Sequence, residues 1–164
     1  MPKAEKRERK KYLPTTSILG VILAVILVFY LISQFRMEEM QFTDMTEELS
    51  CVVDEHNEYV INSEEEYAEL LNHKISAPQC TNFQLPPIDF SQHTLLGKYA
   101  FGGGCSVKFE RKVYRDEANK RIIFFIKVNE RGSCEMIVGR MNWVLIRKIP
   151  SDYRVIFKVE RRFP

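Results

Sequence analysis

The chain has 164 residues, a formal charge of +2 and a hydrophobic content of 45%, which leaves room for one folded domain and an appendage. Seven glycines and seven prolines exclude a collagen-like or low-complexity chain, and no repeat at solenoid spacing is present. The near-neutral total conceals an uneven distribution: Glu38 to Glu69 holds twelve acids and no base, whereas from Lys98 onward sixteen bases stand against seven acids.

Residues 1–14 form a basic tail in which Lys3, Lys6, Arg7, Arg9, Lys10 and Lys11 outnumber Glu5 and Glu8. Residues 15–35 carry no charge, and Ile18 to Ile32 is apolar except for Gly20 and Tyr30. About 20 helical residues cross a hydrocarbon core of about 30 Å, so the run predicts a membrane-spanning helix that contacts lipid all round. A cleaved signal would have a shorter apolar core and small residues at its cleavage site. Here the run ends Tyr30-Leu31-Ile32-Ser33-Gln34-Phe35-Arg36, with no cysteine close behind it, which predicts an uncleaved signal anchor. Basic residues before the span and acidic ones after it predict a cytoplasmic N-terminus and a periplasmic or extracellular remainder. The same rule explains the basic tail as a topology signal, with no nucleic-acid partner.

Residues 36–58 read as an acidic membrane-proximal segment, with the domain following over 59–164. Ser63-Glu64-Glu65-Glu66 is a capping box, and Tyr67, Leu70 and Leu71 recur at helical spacing, predicting a helix over 63–73. Residues 76–91 contain Pro78, Pro86 and Pro87 and read as loop. The period then changes to two. Strands are expected over Thr94–Phe101, around Val107, Phe109, Arg111 and Val113, and over Arg121–Val128, Cys134–Val138, Trp143–Lys148 and Tyr153–Val159. The short spacings imply antiparallel hairpins. The expected class is α+β, β-rich: an antiparallel sheet or sandwich with one short helix, preceded by a single N-terminal transmembrane helix.

Cys51, Cys80, Cys105 and Cys134 all follow the anchor, and an even number on an exported side predicts disulfides. Three connectivities are open; pairing of sequence neighbours, Cys51 with Cys80 and Cys105 with Cys134, is preferred, since the latter two flank an expected hairpin. No Cys-x-x-Cys occurs, and His56, His73 and His93 lack ligand spacing, so no metal is expected. Cys105 as a nucleophile would require an activating base, and none is near it in sequence. The glycine run Gly102-Gly103-Gly104 is not followed by Lys-Ser/Thr and a helix, which excludes a phosphate loop and predicts a bulge or tight bend. Ser91 and His93 lack a third orienting group, and no pair of carboxylates stands out. No catalytic residue and no cofactor is expected. The charge split has two readings. Either the acidic lead-in and helix lie against the basic strands, or a basic sheet face binds an anionic ligand or envelope polymer.

Several segments together resemble one family. Ile61-Asn62-Ser63-Glu64-Glu65-Glu66-Tyr67, then Pro87-Ile88-Asp89-Phe90, the Gly102–Gly104 bend between strands, and Ile146-Arg147-Lys148-Ile149-Pro150 before a final Val/Phe strand resemble the C-terminal domain of the PrcB family over about residues 59–159. The resemblance implies an exported, β-rich, non-catalytic domain that binds and stabilises a partner protease. The sequence departs from that pattern at Cys105, where an aromatic residue often follows the glycines, and at Arg147-Lys148, where a Pro-Lys pair often sits. Loops on a rigid scaffold commonly carry recognition. The glycine bend and the Pro86–Phe90 loop are therefore the expected surfaces, with Asp89, Gly102, Gly103, Gly104 and Trp143 as candidate contacts. The expected role is a membrane-tethered module that binds an envelope protein, a protease foremost.

Overall fold

The computed structural model describes residues 20–27 and 37–162, and the chain divides into two units, Met1–Arg36 and Met37–Pro164. In the first unit, residues 20–27 form a helix, α1, whose side chains are exposed. Among the described residues no helix is long and apolar enough to cross a membrane. The span expected over 15–35 lies mostly outside those residues, and the basic tail over 1–14 lies wholly outside them.

The second unit is built on two four-stranded sheets. Its strands are β1 (Glu38–Met40), β2 (Thr43–Asp44), β3 (Glu58–Ile61), β4 (His93–Gly103), β5 (Ser106–Asp116), β6 (Arg121–Arg131), β7 (Ile137–Arg147) and β8 (Arg154–Arg162). The first sheet has the order β1-β5-β6-β8 and the second β2-β7-β4-β3. Alternation along each strand sets the faces. On β6, Ile122, Phe124, Ile126 and Val128 point inward and are at most 1% exposed. They meet Val113 of β5, Leu96 and Ala100 of β4, and Val144 and Ile146 of β7 between the sheets. Val107, Phe109 and Val113 share the inner face of β5, as their spacing predicts.

A second core lies on the far face of the second sheet. Leu95, Met141 and Trp143 of that sheet pack against Met45, Leu49, Val52, Ile61, Tyr67, Leu70, Ile88 and Phe90. The cover is α2 (Glu64–Ala68), which runs into a 3-10 turn over Glu69–His73, together with a 3-10 turn over Pro78–Cys80 and the loops between them. Ser63 caps the helix, its Oγ accepting from the Glu66 N–H, and Glu66 reaches back one residue past the N-cap, its Oε2 accepting from the Asn62 N–H. Burying each large apolar side chain contributes about 1.5–3 kcal/mol relative to exposure. The class is thus a β-rich sandwich with one short α-helix on its cover.

Four features depart from the sequence reading. The segment over 36–58 is no separate lead-in: β1 pairs with β5, β2 with β7, and Leu49 and Val52 are fully buried, so the compact unit begins at Met37. Residues 137–147 form one continuous strand in place of two short ones, and Cys134 lies before it in a turn. Gly102 and Gly103 do not interrupt β4 but complete it, pairing with Val138 and Ile137. Finally, β8 pairs parallel to β6, where hairpins alone were expected. The chain leaves β6 for the other sheet, makes β7 there, and returns, so β6 and β8 run the same way.

Both disulfides join sequence neighbours, Cys51–Cys80 with Cα atoms 5.6 Å apart and Cys105–Cys134 at 4.7 Å, as preferred from the sequence. The acidic segment lies against basic strand residues. Glu39 pairs with Lys112 at 3.0 Å, Asp44 with Arg111 at 2.7 Å, Glu47 with Arg140 at 2.6 Å and Glu58 with Lys98 at 3.1 Å. Of these bases Arg111 points inward. It donates to Thr46 Oγ1 at 3.2 Å and Asn142 Oδ1 at 3.1 Å, and burial draws its guanidinium below the usual value. This polar junction fastens Met37–Thr46 to both sheets, because a half-buried guanidinium stripped of any of these partners would carry part of its desolvation penalty uncompensated.

Candidate interaction surface at the glycine rim

The glycine run sits at one end of the sandwich, where β4 turns into β5. Gly104 has φ of +115°, a conformation that side chains resist, and a Cβ there would press on the carbonyl oxygens of Arg131 and Gly132. The Gly103 N–H donates to Glu130 Oε1 at 2.7 Å, the Gly104 N–H to the Met136 carbonyl at 3.0 Å and the Cys105 N–H to the Arg131 carbonyl at 2.7 Å. The Cys105–Cys134 bridge ties the same turn to the connection between β6 and β7. Gly102 is enclosed: a Cβ there would meet Val128, Glu130 and Val107. Glu130 is 6% exposed, and its second oxygen, Oε2, has no hydrogen-bond partner among the described residues.

Two glycines leave two apolar side chains standing proud of this rim. On β4, Phe101 faces Gly139 of β7, and Gly103 faces Ile137. Neither Phe101 nor Ile137 therefore has a cross-strand side chain to pack on, and the two are diagonal neighbours on one face, about 7–8 Å apart by sheet geometry. Ile137 is 76% exposed, Met136 47% and Phe101 43%. The Arg161 guanidinium of β8 lies 3.8 Å from the Phe101 ring centroid, a cation–π contact that orients the ring.

The other candidates lie elsewhere. Asp89 is at the opposite end of β4, in the loop before His93. Its Oδ1 accepts from the Ser91 N–H at 2.9 Å and from Ser91 Oγ at 2.5 Å, and its Oδ2 from Gln92 Nε2 at 2.9 Å. These bonds, the Ser91 hydroxyl foremost, hold its carboxyl below the ordinary range. Asp89 thus closes a turn. Trp143 is fully buried, tilted against Tyr59 with ring centroids 5.4 Å apart and lying over the empty face of Gly97, so it is a core residue and not a contact surface. The rim unites Gly102, Gly103 and Gly104, but not Asp89 or Trp143.

A polar cluster that sequence spacing did not disclose surrounds Asp54, which is 8% exposed. Its carboxylate accepts from the His56 and Asn57 N–H groups, from Asn57 Nδ2 at 2.7 Å and from the Tyr59 hydroxyl at 2.5 Å, and His73 Nδ1 stands 3.3 Å away. The Tyr59 bond is the chief cause that pulls Asp54 far below the carboxylate range. The Tyr59 hydroxyl is in turn pushed up to about 12, by desolvation first and then by Asp54. Tyr59 and His73 also line an open groove of about 280 Å³ with Glu66 and Leu70. The carboxylate is saturated by its own neighbours, so its chemistry is to tie the segment before β3 to the 3-10 turn. Among the described residues no group of three or more His, Cys, Asp or Glu is placed to hold a metal ion. Compared with known proteins, the chain matches no family model, no curated protein and no solved structure.

Proposed function

We propose that the chain is a membrane-tethered extracytoplasmic interaction module that binds an envelope protein through its glycine rim. The resemblance to PrcB-like sequences makes a protease the first partner to examine. The observation that carries this reading is the group Phe101, Met136 and Ile137, apolar side chains exposed on a turn braced by two backbone–backbone hydrogen bonds, one more from the Gly103 N–H to the Glu130 carboxylate, and a disulfide. Apolar anchors on a rigid base lose little freedom on binding, which is the property of interface hot spots. Two disulfides favour an oxidising compartment. The charge-free run over 15–35 behind a basic tail favours a tether, which raises effective concentration near a membrane partner.

A photo-crosslinking residue at position 137 of the full chain, in its native membrane, tests the reading. Adducts to one protein species are expected, weakened at least severalfold by Phe101→Ser. Equal adducts from position 137 and from exposed Glu69 on the cover would refute it. A reporter fused after Pro164 is expected outside the cytoplasm.

One observation favours a second reading, an anionic envelope polymer as ligand. On the outer face of the first sheet Glu39, Glu110 and Glu160 pair with Lys112, Lys127 and Arg162. Lys108, Arg131, Arg154 and Lys158 have no ion pair among the described residues. Retention on a polyanion matrix that falls with salt and is lost in Lys108→Glu/Lys158→Glu would support it.

A further inference from the structure

β8 is a nine-residue edge strand that, among the described residues, has β6 as its one neighbour in the sheet. Nine consecutive residues pair with β6 without a bulge, and no proline interrupts it. Its outer rim of N–H and C=O groups is a template for another strand. Val159 is 40% exposed, and Val155, Ile156 and Phe157 are only partly covered.

We infer that this edge is the seam of a homodimer, in which β8 of two copies pairs antiparallel about a two-fold axis at Phe157. The occupant is identified by the strand's own sequence. In that register Arg154 faces Glu160, Val155 faces Val159, Ile156 faces Lys158 and Phe157 faces itself, and symmetry repeats the first three pairs. Opposite charges and β-branched residues thus meet directly, the arrangement that stabilises cross-strand pairs. The neighbouring registers that keep inner faces aligned are unfavourable. Centred on Lys158, the strand sets Lys158 against Lys158 and Arg154 against Arg162. Centred on Ile156, it sets Arg154 against Lys158 twice. A two-fold axis closes the contact, so it ends at two copies instead of growing, and it joins two first sheets into one of eight strands. The contact borders the glycine rim, where Arg161 lies on Phe101, and goes beyond the partner-binding reading.

The test uses the full chain in its membrane with mild oxidant. Copies carrying Ile156→Cys and copies carrying Lys158→Cys, expressed together, are expected to give a cross-linked species of about twice 19.3 kDa. Lys158→Cys alone, and Lys108→Cys on β5 as a monitor of random encounter, are expected to give about tenfold less. Glu160→Arg, an exposed position, is expected to lower the 156–158 yield about tenfold by placing arginine against arginine twice, and adding Arg154→Glu is expected to restore it. Equal cross-linking by Lys158→Cys alone or Lys108→Cys, absence of the 156–158 species, or indifference to Glu160→Arg would each overturn the inference.

Discussion

Gly97 offers the sharpest check on the packing described above. It lies opposite Trp143 in the β4–β7 pair, and a Cβ there would overlap Cζ3, Cε3 and Cη2 of the indole. The ring cannot swing away, because it is fully buried and Tyr59 stands against it with centroids 5.4 Å apart. Overpacking of this kind costs about 1–3 kcal/mol, whereas removing a glycine from the unfolded chain returns only about 0.4–1 kcal/mol. Gly97→Ala is therefore expected to destabilise by about 2 kcal/mol, lowering Tm by roughly 8 °C for a domain of this size. Gly103→Ala on the same strand is the control. The nearest atom to its added Cβ would be the Met136 carbonyl oxygen at 3.7 Å, an ordinary contact, and no loss is expected. Denaturant unfolding of the full chain in detergent, followed by its single tryptophan and by circular dichroism, separates the two. Equal midpoints for Gly97→Ala and the parent, or equal losses for both variants, would refute the close-packed Gly97–Trp143 contact.

Each disulfide closes a separation of 29 residues, for which chain entropy corresponds to about 3.6 kcal/mol; replacing either pair by alanine is expected to cost a loss of that order in urea unfolding. Cys51 and Cys80 are buried whereas Cys105 and Cys134 are exposed, so limiting reductant followed by alkylation and mass spectrometry is expected to label Cys105 and Cys134 first. Asp54 ionises more readily folded than unfolded, so its contribution is complete above its unfolded value of about 3.9 and is lost as pH falls below it. Asp54→Asn is expected to flatten that acid limb and to cost about 2 kcal/mol at neutral pH by weakening buried bonds to a charged acceptor; an unchanged acid limb would show that other carboxylates set it.

The sequence disclosed elements whose signals are local. Ser63 and Glu66 mark a helix start by spacing alone, and the alternation from Val107 to Val113 marks an inner face without reference to any partner. Cysteine pairing followed the same logic, because both bridges join neighbours in sequence. What stayed hidden depends on distant residues. Met45, Leu49 and Val52 stand at i, i+4 and i+7, the spacing of one helical face, but the acids around them masked it, and they are buried because α2 and the second sheet close over them. Arg111 occupies an inward position that alternation assigns to an apolar residue, and only Thr46, Asn142 and Asp44 make it tolerable there. On the rim, the glycines were visible but their effect was not: exposure of Phe101 and Ile137 follows from glycines placed opposite them by the β4–β7 register. Gly139, whose absent side chain both exposes Phe101 and admits the Tyr99 ring, carried no signal of its own.

The parallel docking of β8 on β6 has a consequence for biogenesis. Synthesis runs from the N-terminus, and β8 reaches its berth only after β7 has been laid into the opposite layer. The inner face of β6, with Phe124 awaiting Phe157 at 5.9 Å, therefore stays uncovered along that flank until β8 emerges. A ribosome paused between β7 and β8 would hold a greasy, half-roofed intermediate, and a frameshift within the codons of β8 would harm this protein far more than the nine residues of that strand suggest.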